Sequence, residues 1–414
     1  MHPAWTRDKK ILLGISGGIA AYKTAELVRA YVKAGCEVEV VMTEMAARLV
    51  SPLALATLVK RRVWRDCDLR SDEDGWRIPH ISLSGWADVF VVAPCTANVL
   101  RMAAQGDSST LLGATMLAYS KRVVFFPAMN EHMLANPATR KNIDILESYG
   151  HRVVDPDRGA LACGYEGKGR LPAVEAILDE TWGALSPKRD FEGRKVLITA
   201  GPTHEYIDPV RYISNPSSGK MGYALAAEAR YRGAEVVLVS GPTQLRAPSG
   251  VQVVPVTSAR EMLDACVAHM RGADAIIKAA AVGDYRVREY AAHKIKREGA
   301  ETMTLELESN PDIAHELSKR KTSFQLLVGF AAETDDVLSN ASKKIARKGL
   351  DMIVANDVSA DDAGFATDTN RVWIVQADAH GGGEPASLEG SKLEVASGIL
   401  DRISAMLARI QRPS

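Results

Sequence analysis

Two stretches of the chain repeat one order of features: a short apolar run, a loop, a helical stretch and a second apolar run. The first covers 10–42, with its helical stretch at 22–34, and the second covers 195–240, with its helical stretch at 221–232. Each reads as strand, helix, strand, and a βαβ unit requires a parallel sheet with a right-handed crossover. The sequence therefore predicts an α/β protein with two separate parallel sheets.

A polar segment precedes the second βαβ unit and predicts the domain boundary. It contains Ser186, Pro187 and Lys188 and carries neither helical nor strand periodicity. The predicted domains are 1–186 and 187–414, and a length of 414 residues is consistent with more than one core.

Each half continues with further short apolar runs that predict buried strands. They are 89–93 and 123–126 in the first half, and 275–278, 326–330 and 352–355 in the second. Ligands of an open parallel sheet bind beyond the carboxyl ends of its strands, so the residues after these runs are the candidate site residues. The tail predicts a strand at 372–376, a turn at 381–383 and a helix at 392–410. Ser391 and Glu394 have the spacing of a capping box at the start of that helix.

Composition disfavours several classes of protein. The 51 basic and 51 acidic residues balance, and a nucleic-acid-binding protein needs a basic excess or stripe. The apolar stretch 11–21 is interrupted by glycines and is too short to cross a bilayer. Five scattered cysteines without a Cys-x-x-Cys pair indicate neither a disulfide framework nor a zinc site. We expect a cytoplasmic protein without nucleic-acid or membrane partners.

The first half offers a turn and three strand-end clusters that suit a flat polar ligand. Gly17 and Gly18 lie where a strand becomes a helix, and such a turn lets a phosphate approach the backbone, although it is more often only a tight turn. The clusters 42–44, 94–98 and 127–130 add hydroxyl, amide and small side chains at strand ends.

Two reactive side chains stand apart from these clusters. His80 is isolated, and a lone histidine is more often structural than catalytic. Cys163 lies in 159–169, a loop with four glycines, which is typical of a turn or of a flap that closes on a ligand. A thiol on such a flap is a candidate proton donor, and an inert thiol is the alternative.

The second half has cations near strand ends but no P-loop. Residues 217–220 resemble the end of a Walker motif, yet Met221 occupies the Ser/Thr position and the first glycine is missing. The polar loop 211–219 and the cations of 294–297 are either solvated surface or groups that neutralise a polyphosphate. Asp284 follows a predicted strand and is a candidate ligand of Mg²⁺.

These motifs resemble a known family. Ser-Gly-Gly-Ile-Ala-Ala-Tyr-Lys at 16–23, His80, 94–98, 127–130 and Ala-Cys-Gly at 162–164 occur in the order seen in flavin-dependent cysteine decarboxylases. From Lys10 to the C-terminal helix, the chain resembles the bifunctional phosphopantothenoylcysteine decarboxylase/phosphopantothenate–cysteine ligases of bacterial coenzyme A biosynthesis. The resemblance implies a flavodoxin-like N-terminal domain, with helices on both faces of its sheet, and a Rossmann-like C-terminal domain.

For the first half, the resemblance implies an FMN-dependent decarboxylase. FMN would lie against Gly17, Gly18, Thr43, Thr96, Asn98 and Ala128. Asn130 would bind the substrate, His80 would be the catalytic histidine and Cys163 would donate a proton. Oxidation of the substrate thiol to a thioaldehyde supplies the electron sink that loss of CO₂ requires, and the flavin provides that redox chemistry.

For the second half, the resemblance implies a ligase that uses CTP and Mg²⁺. The implied CTP-binding residues are Lys278, Ala279, Ala280, Asp284, Lys294, Pro311, Asp312, Ile313, Ala314, Phe330, Lys344 and Lys348. Lys294 would be needed to form an acyl-cytidylate of 4'-phosphopantothenate, and Asn215 and Arg211 would assist its attack by cysteine. The resemblance also implies a homo-oligomer with trimeric flavin domains and dimeric ligase domains, which together give a dodecamer.

Two other interpretations are weaker. A flavin reductase with a dinucleotide-binding second half would need a Gly-x-Gly-x-x-Gly loop and a ribose-binding acid, and neither βα turn provides them. A non-enzymatic flavoprotein that regulates a partner would not need His80, Cys163 and Lys294 together.

Overall fold

The computed structural model describes residues 2–70, 78–162, 164–296, 302–333, 337–357, 367–377 and 385–410. The chain divides into two compact units, 2–187 and 188–414. Within the described residues, no helix combines the length and the apolar character that crossing a bilayer requires.

Residues 2–187 are built on a six-stranded sheet in which every pair of neighbours is parallel. Its strands are β1 (Lys10–Ile15), β2 (Glu37–Met42), β3 (Val63–Trp64), β4 (Val89–Cys95), β5 (Val123–Pro127) and β6 (Arg152–Val153). The order across the sheet is β3-β2-β1-β4-β5-β6. The direction of the chain across the sheet therefore reverses at β1 and β4, and ligands of doubly wound folds bind at such a reversal.

The predicted flavodoxin-like parallel sheet is confirmed, and a short edge strand extends it. An order of 3-2-1-4-5-6 is the one found in dinucleotide-binding folds. The difference arises from β3, a two-residue edge strand that pairs with β2 through Val40 and Val41. Without β3, the remaining strands follow the flavodoxin order that the resemblance implied.

Helices pack on both faces of this sheet. They are α1 (Thr24–Lys33), α2 (Glu44–Leu49), α3 (Pro52–Val59), α4 (Pro79–Trp86), α5 (Ala97–Gln105), α6 (Leu111–Ala118), α7 (Glu131–Ala135), α8 (Pro137–Ser148) and α9 (Val174–Leu185). Alternate strand residues point to opposite faces. Leu12, Phe90 and Phe125 join the core formed with α5, α6 and α8. Away from that core, α1 packs against α9, where Tyr31 meets Trp182 edge to face.

A separate antiparallel hairpin follows the sheet. It consists of β7 (Asp157–Ala160) and β8 (Glu166–Arg170), and its register shifts between Asp157 and Arg158. The predicted glycine-rich loop is therefore largely a β-hairpin, and Cys163, in the connection between its strands, lies outside the described residues.

Residues 188–414 contain an eight-stranded mixed sheet and two small hairpins. The strands are β9 (Lys195–Ala200), β10 (His204–Tyr206), β11 (Tyr212–Ser214), β12 (Glu235–Ser240), β13 (Gln252–Pro255), β14 (Ala275–Lys278), β15 (Tyr285–Val287), β16 (Leu307–Ser309), β17 (Leu326–Glu333), β18 (Met352–Asp357), β19 (Thr369–Gln376) and β20 (Ala386–Ser391). The large sheet has the order β13-β12-β9-β14-β17-β18-β19-β20, with β10 paired to β11 and β15 paired to β16. The first six strands of the large sheet are parallel, and β19 and β20 extend its edge in antiparallel fashion.

Five helices complete this unit: α10 (Lys220–Tyr231), α11 (Ala259–His269), α12 (Ile313–Ser318), α13 (Val337–Lys348) and α14 (Lys392–Leu407). One core joins α11, α12 and α13 to the sheet through Met262, Leu317 and Ile345. The helices α10 and α14 pack against each other. The predicted capping box is confirmed, because Ser391 and Glu394 each bond the backbone of the other.

Three predicted features differ from the structure or lie outside it. The first helix begins at Thr24 rather than at 22, because a 3₁₀ turn over Ile19–Lys23 precedes it. The last helix ends at Leu407 rather than at 410. The predicted turn at 381–383 lies outside the described residues.

Arg232 ties the start of the second unit to α10 and α14. Its side chain is fully buried beside the Phe191 ring. The guanidinium donates two hydrogen bonds to Asp190, pairs with Asp401 at 2.9 Å and donates to the carbonyl of Ser397 at 3.1 Å. A buried cation with several partners makes its neighbours depend on it, because removing it leaves their charges uncompensated.

We predict that Arg232→Met destabilises this unit by about 3–5 kcal/mol, because Asp190 loses its cation and the Ser397 carbonyl loses its donor, while Asp401 keeps Lys188. The measurement is amide hydrogen exchange in α10 and α14 as urea increases. Arg288→Met is the matched control, because Arg288 forms an exposed ion pair with Glu306, and such pairs contribute less than about 1 kcal/mol. Equal losses in the two variants would contradict a special role for Arg232.

Candidate functional site

The first candidate site, the N-terminal cavity, lies beyond the carboxyl ends of β1, β4 and β5 and has a volume of about 580 Å³. Its lining residues are Gly18, Ile19, Ala20, Tyr22, Lys23, Thr96, Ala97, Ala128, Met129, Asn130, Met133, Ala160, Leu161, Ala162, Gly169, Arg170 and Leu171. The structure thus brings together four predicted site residues, Gly18, Thr96, Ala128 and Asn130.

A buried serine, to which the sequence analysis gave no role, fixes two strand ends of this cavity. The hydroxyl of Ser16 donates to the carbonyl of Pro94 at 2.8 Å and accepts from the backbone N–H of Thr96 at 2.9 Å. The turn after β1 and the turn after β4 are therefore joined by a pair of buried hydrogen bonds. Such bonds are costly to break, since the partners would lie unsatisfied away from water.

The hairpin β7–β8 forms another wall of the N-terminal cavity. The N–H of Met129 donates to the carbonyl of Gly169 at 3.0 Å. A Cβ on Gly169 would lie 2.0 Å from the carbonyl oxygen of Met129, so only glycine permits this approach. Asn130 donates from its side chain to the Tyr165 hydroxyl, and its Oδ1 accepts from the His132 N–H at 2.8 Å. Leu161 and Ala162, just before Cys163, thereby face the cavity.

Four predicted residues of this half do not line the cavity. Gly17 packs against Met45, where a Cβ would lie 2.3 Å from its Cγ. Thr43 caps α2 by accepting from the Ala46 N–H at 3.2 Å. Asn98 bonds Met102 and Arg101 on its own helix.

His80 is the fourth predicted residue that does not line the cavity. It lies in the first turn of α4, and its Nδ1 is buried without a hydrogen-bond partner in the described part of the chain.

The N-terminal cavity fits a flavin in size and lining. Cofactor pockets are mostly apolar, with volumes of roughly 300–1,000 Å³ and a few polar groups that fix orientation. In the N-terminal cavity, Thr96 and Asn130 are uncharged polar residues of the lining. A Cβ on Gly18 would enter the space beside Thr96, 3.4 Å from its methyl carbon. Backbone without a side chain at this point leaves room for a flat ring.

The second candidate site, the C-terminal cavity, has a volume of about 320 Å³ and lies at the carboxyl ends of β14, β17 and β18. Its lining residues are Asn215, Ser217, Ser218, Gly219, Lys220, Met221, Gly222, Lys278, Ala279, Ala280, Ala281, Val282, Asp284, Phe330, Ala331, Lys348, Asn356, Asn370 and Lys392. Seven predicted residues meet there: Asn215, Lys278, Ala279, Ala280, Asp284, Phe330 and Lys348.

Asn215 joins two loops of the C-terminal cavity. Its side-chain amide donates to the carbonyls of Ala281 at 3.3 Å and Val282 at 3.1 Å. The polar loop that begins at Arg211 is thereby held against the segment after β14. Asp208, Arg211 and Ile295 form a further connection, because Asp208 accepts from the Ile295 N–H at 3.2 Å and Arg211 donates to the Ile295 carbonyl.

The remaining predicted residues of this half lie outside the cavity lining. Lys294 is exposed and precedes the anchored Ile295. Asp312 caps α12 and pairs with Lys348 at 3.1 Å, so it touches the cavity only through that lysine. Those not in the lining are Arg211, Lys294, Pro311, Asp312, Ile313, Ala314 and Lys344. The predicted cation Arg297 lies outside the described residues.

Several polar residues of the C-terminal cavity were not predicted. Lys220 pairs with Asp368 at 2.7 Å. Lys392 is buried and donates to the Thr369 carbonyl at 3.0 Å and to Asn370 Oδ1 at 3.1 Å. Burial lowers the pKa of Lys392, and Lys220 lowers it further.

Their sequence positions do not indicate a site. Lys220 belongs to a segment that lacks the P-loop pattern, and Lys392 begins the last predicted helix. No motif marks Asn356, whose Oδ1 is buried without a partner in the described part of the chain.

A metal ion would have few protein ligands in this cavity. No cluster of three His, Cys, Asp or Glu residues occurs in the described part of the chain. Asp284 remains one carboxylate at the cavity, and Mg²⁺ commonly combines one or two carboxylates with phosphate oxygens and water. The donor set therefore fits Mg²⁺ only as a companion of a phosphorylated ligand.

Comparisons with known proteins cover both units. A family model described as Flavoprotein matches residues 2–186, and one described as DNA/pantothenate metabolism flavoprotein C-terminal domain matches residues 191–407. The coenzyme A biosynthesis bifunctional protein CoaBC of Bacillus subtilis (strain 168) is 45% identical over 402 residues, which cover 96% of this chain and 97% of that protein.

Two further matches agree with these. The protein of the same name from Escherichia coli (strain K12) is 42% identical over 372 residues, which cover 89% of this chain and 91% of that protein. A crystal structure of the C-terminal domain of a coenzyme A biosynthesis bifunctional protein CoaBC is 44% identical, covers 53% of this chain and 99% of that chain, and superposes with a TM-score of 0.45.

Lys278 gives the C-terminal cavity a pH-dependent charge. Burial lowers its pKa, and the neighbouring charge of Lys348 lowers it further. The other groups that act on it are Asp312, Cys266 and Asp284, which raise it. A lysine with a lowered pKa is cationic below that value and loses its charge as the pH rises through it, earlier than an ordinary lysine with a pKa of about 10.4.

We predict that pyrophosphate binds this cavity less tightly as the pH rises from neutrality toward that ordinary value. Lys278→Met should bind more weakly at neutral pH and lose much of the pH dependence. Isothermal titration calorimetry at several pH values measures both. Lys319→Met is the control, since Lys319 is an exposed residue after α12 that pairs with Glu316. An unchanged pH profile in Lys278→Met would refute the assignment.

Proposed function

Since this chain belongs to the family of coenzyme A biosynthesis bifunctional proteins, we propose that its two cavities divide the two reactions between them. The protein is a bifunctional enzyme of coenzyme A biosynthesis, with a flavoprotein decarboxylase domain and a ligase domain. The ligase unit, 188–414, joins cysteine to 4'-phosphopantothenate with CTP. The decarboxylase unit, 2–187, converts the resulting phosphopantothenoylcysteine to 4'-phosphopantetheine.

One observation carries the ligase assignment: Lys278, Lys348 and Asn215, which are distant in sequence, line one cavity at the carboxyl edge of the second sheet. Two cations beside exposed loop backbone suit a polyphosphate, whose negative charge they offset. The lowered pKa of Lys278 supports the same assignment, because an anion would relieve the repulsion from Lys348.

The ligase reaction takes place in two steps, activation of the carboxylate and attack by cysteine. A carboxylate oxygen of phosphopantothenate attacks the α-phosphorus of CTP, and the bond to pyrophosphate breaks. The cysteine nitrogen then attacks the acyl carbon, CMP leaves with its oxygen, and the nitrogen loses a proton. Lys294 neutralises charge in the first step, and Asn215, with Arg211, positions the acyl group in the second. Mg²⁺ would enter with the nucleotide phosphates, and Asp284 would be the carboxylate of the cavity available to hold it.

In the decarboxylase unit, Gly18, Thr96 and Ala128 hold FMN, and Asn130 binds the substrate beside it. When bound, FMN supplies the two-electron oxidation that makes a thioaldehyde of the thiol and later returns those electrons. Asn130 accepts from the His132 N–H at the start of α7 and donates to the Tyr165 hydroxyl of the hairpin. It therefore connects the substrate to the segment that carries Cys163, the proposed proton donor.

His80 acts on a neighbouring protomer in this proposal. It is absent from the lining of the N-terminal cavity and lies between Ile78 and Ile81, which are exposed by 56% and 53%. Tyr22 of the cavity lining and Leu53 are also exposed. Exposed apolar side chains of this size are suited to a protein interface. Trimers of this unit, dimers of the ligase unit and a dodecamer built from both are the proposed assembly, in the cytoplasm.

The full chain should turn over phosphopantothenate, cysteine and CTP. We expect CMP, CO₂ from carboxyl-labelled cysteine, and phosphopantetheine, detected by mass spectrometry and trapping of labelled gas. Supplying only ATP tests the choice of nucleotide. CMP without CO₂ would remove the decarboxylase assignment, and CO₂ released only from added phosphopantothenoylcysteine would remove the ligase assignment.

Lys294→Gln and Asn215→Asp should stop the ligase at different steps. The lysine variant should form the acyl-cytidylate about a hundredfold more slowly or worse, since a group that offsets developing charge is gone. The asparagine variant should form it but consume it slowly, because a carboxylate repels the anionic intermediate. Mass spectrometry before and after the addition of cysteine distinguishes these outcomes.

Lys319→Gln serves as the matched control, since it removes one exposed lysine that pairs with Glu316 and does not line the C-terminal cavity. It should retain both steps. If the lysine variant accumulates the intermediate, or the asparagine variant converts it at the normal rate, the division of roles is wrong.

A further inference from the structure

Two cations line a cavity that otherwise has no charged wall. Lys23 and Arg170 are the charged members of the described lining of the N-terminal cavity, and no acidic side chain accompanies them there. Neither residue has a role in the proposed decarboxylase chemistry. The cavity therefore presents two positive charges to its ligand.

These two cations are not held in ion pairs. Within the described residues, neither head group forms an ion pair or a hydrogen bond. Other cations of the same unit differ, since Arg152 pairs with Glu180 and Lys168 pairs with Asp155. The pKa of Lys23 is lowered, first by burial and next by the charge of Arg170, with Asp157 and Glu26 opposing. The two cations thus lie close enough to repel, and an anion between them would relieve that repulsion.

Both side chains start from fixed backbone. Lys23 ends the 3₁₀ turn before α1, where the buried Thr24 hydroxyl donates to the Ala21 carbonyl at 2.7 Å. Arg170 ends β8 opposite Asp157, and its guanidinium lies 3.2 Å from where a Cβ on Gly159 would be. Fixed attachment limits the entropy that the two long side chains lose when they bind a ligand.

We propose that Lys23 and Arg170 bind the terminal phosphomonoester of the decarboxylase substrate, and so select the phosphorylated substrate over its dephosphorylated form. This inference rests on the proposed function. The hairpin supports it, because Arg170 ends β8, while Leu161 and Ala162, which line the same cavity, lie in the connection before β8 begins.

The length of this hairpin strand matches the length of the substrate. A five-residue strand at about 3.3 Å per residue spans roughly 16 Å. The substrate has about a dozen bonds between phosphorus and sulfur, and an extended chain advances about 1.2 Å per bond, which gives ~15 Å. A substrate lying along β8 with its phosphate at Arg170 would bring its thiol end toward Leu161 and Ala162 of the cavity lining.

The test compares two substrates, phosphopantothenoylcysteine and pantothenoylcysteine, with the full-length wild type and with Lys23→Gln and Arg170→Gln. A charge-assisted contact contributes about a tenfold to a hundredfold change. We expect wild type to prefer the phosphorylated substrate in kcat/KM, and each variant to lose most of that preference while keeping its rate on pantothenoylcysteine. Lys23→Arg should restore much of the preference. Lys33→Gln, which removes an exposed lysine at the end of α1, should change neither rate.

Binding measurements separate this inference from the proposed function. Calorimetry with phosphopantetheine and pantetheine should show the same loss of preference in the variants, whether or not turnover occurs. Equal losses for both ligands would make the cations merely structural.

The flavin phosphate is the other phosphomonoester, so FMN and riboflavin are titrated separately. A loss of preference for FMN over riboflavin, with the substrate preference kept, would overturn the assignment. If the wild type decarboxylates neither substrate but still binds phosphopantetheine more tightly than pantetheine, the proposed function is wrong and the phosphate assignment is not.

Discussion

The parallel pairing of β1 with β4, and of β9 with β14, determines where both cavities form. These strands are buried on both faces, so their apolar side chains leave only the strand ends free for polar groups. Parallel strands end at one edge of a sheet, and the direction of the chain across the sheet reverses at each of these pairs. The loops that follow therefore diverge and leave a crevice between them.

Short polar contacts turn each crevice into a defined site. In the first unit, buried hydrogen bonds of Ser16 join the turns after β1 and β4. In the second, the amide of Asn215 holds its own loop against the carbonyls of Ala281 and Val282. Each is a side chain from one loop that satisfies backbone groups of another, so the loops are ordered before a ligand arrives. Such preorganisation reduces the entropy lost on binding.

The two cavities treat positive charge differently. In the C-terminal cavity, Lys220 and Lys348 already pair with Asp368 and Asp312, which spreads their charge over a network. In the N-terminal cavity, Lys23 and Arg170 form no ion pair within the described residues, although the charge of Asp157 acts on Lys23. Lysines that pair with carboxylates can exchange those partners when a polyphosphate binds with its own cation. A single phosphomonoester, by contrast, can bond two fixed cations at once.

The sequence by itself determined the two βαβ units, most strand positions, the capping box at Ser391 and the turn and strand-end clusters that contain Gly18 and Thr96. Each of these depends on local periodicity or on one turn, which neighbouring residues encode. Only the tertiary structure decided that Lys392 joins the second cavity, and that Arg170 comes to lie beside Lys23. Arg170 is more than a hundred positions from Lys23, and Lys392 is more than a hundred positions from Lys220 and Lys278, which line the same cavity. No local pattern records which side chains a folded sheet edge and a hairpin bring together. The two-residue strand β3, which changed the sheet order, was likewise beyond the reach of periodicity.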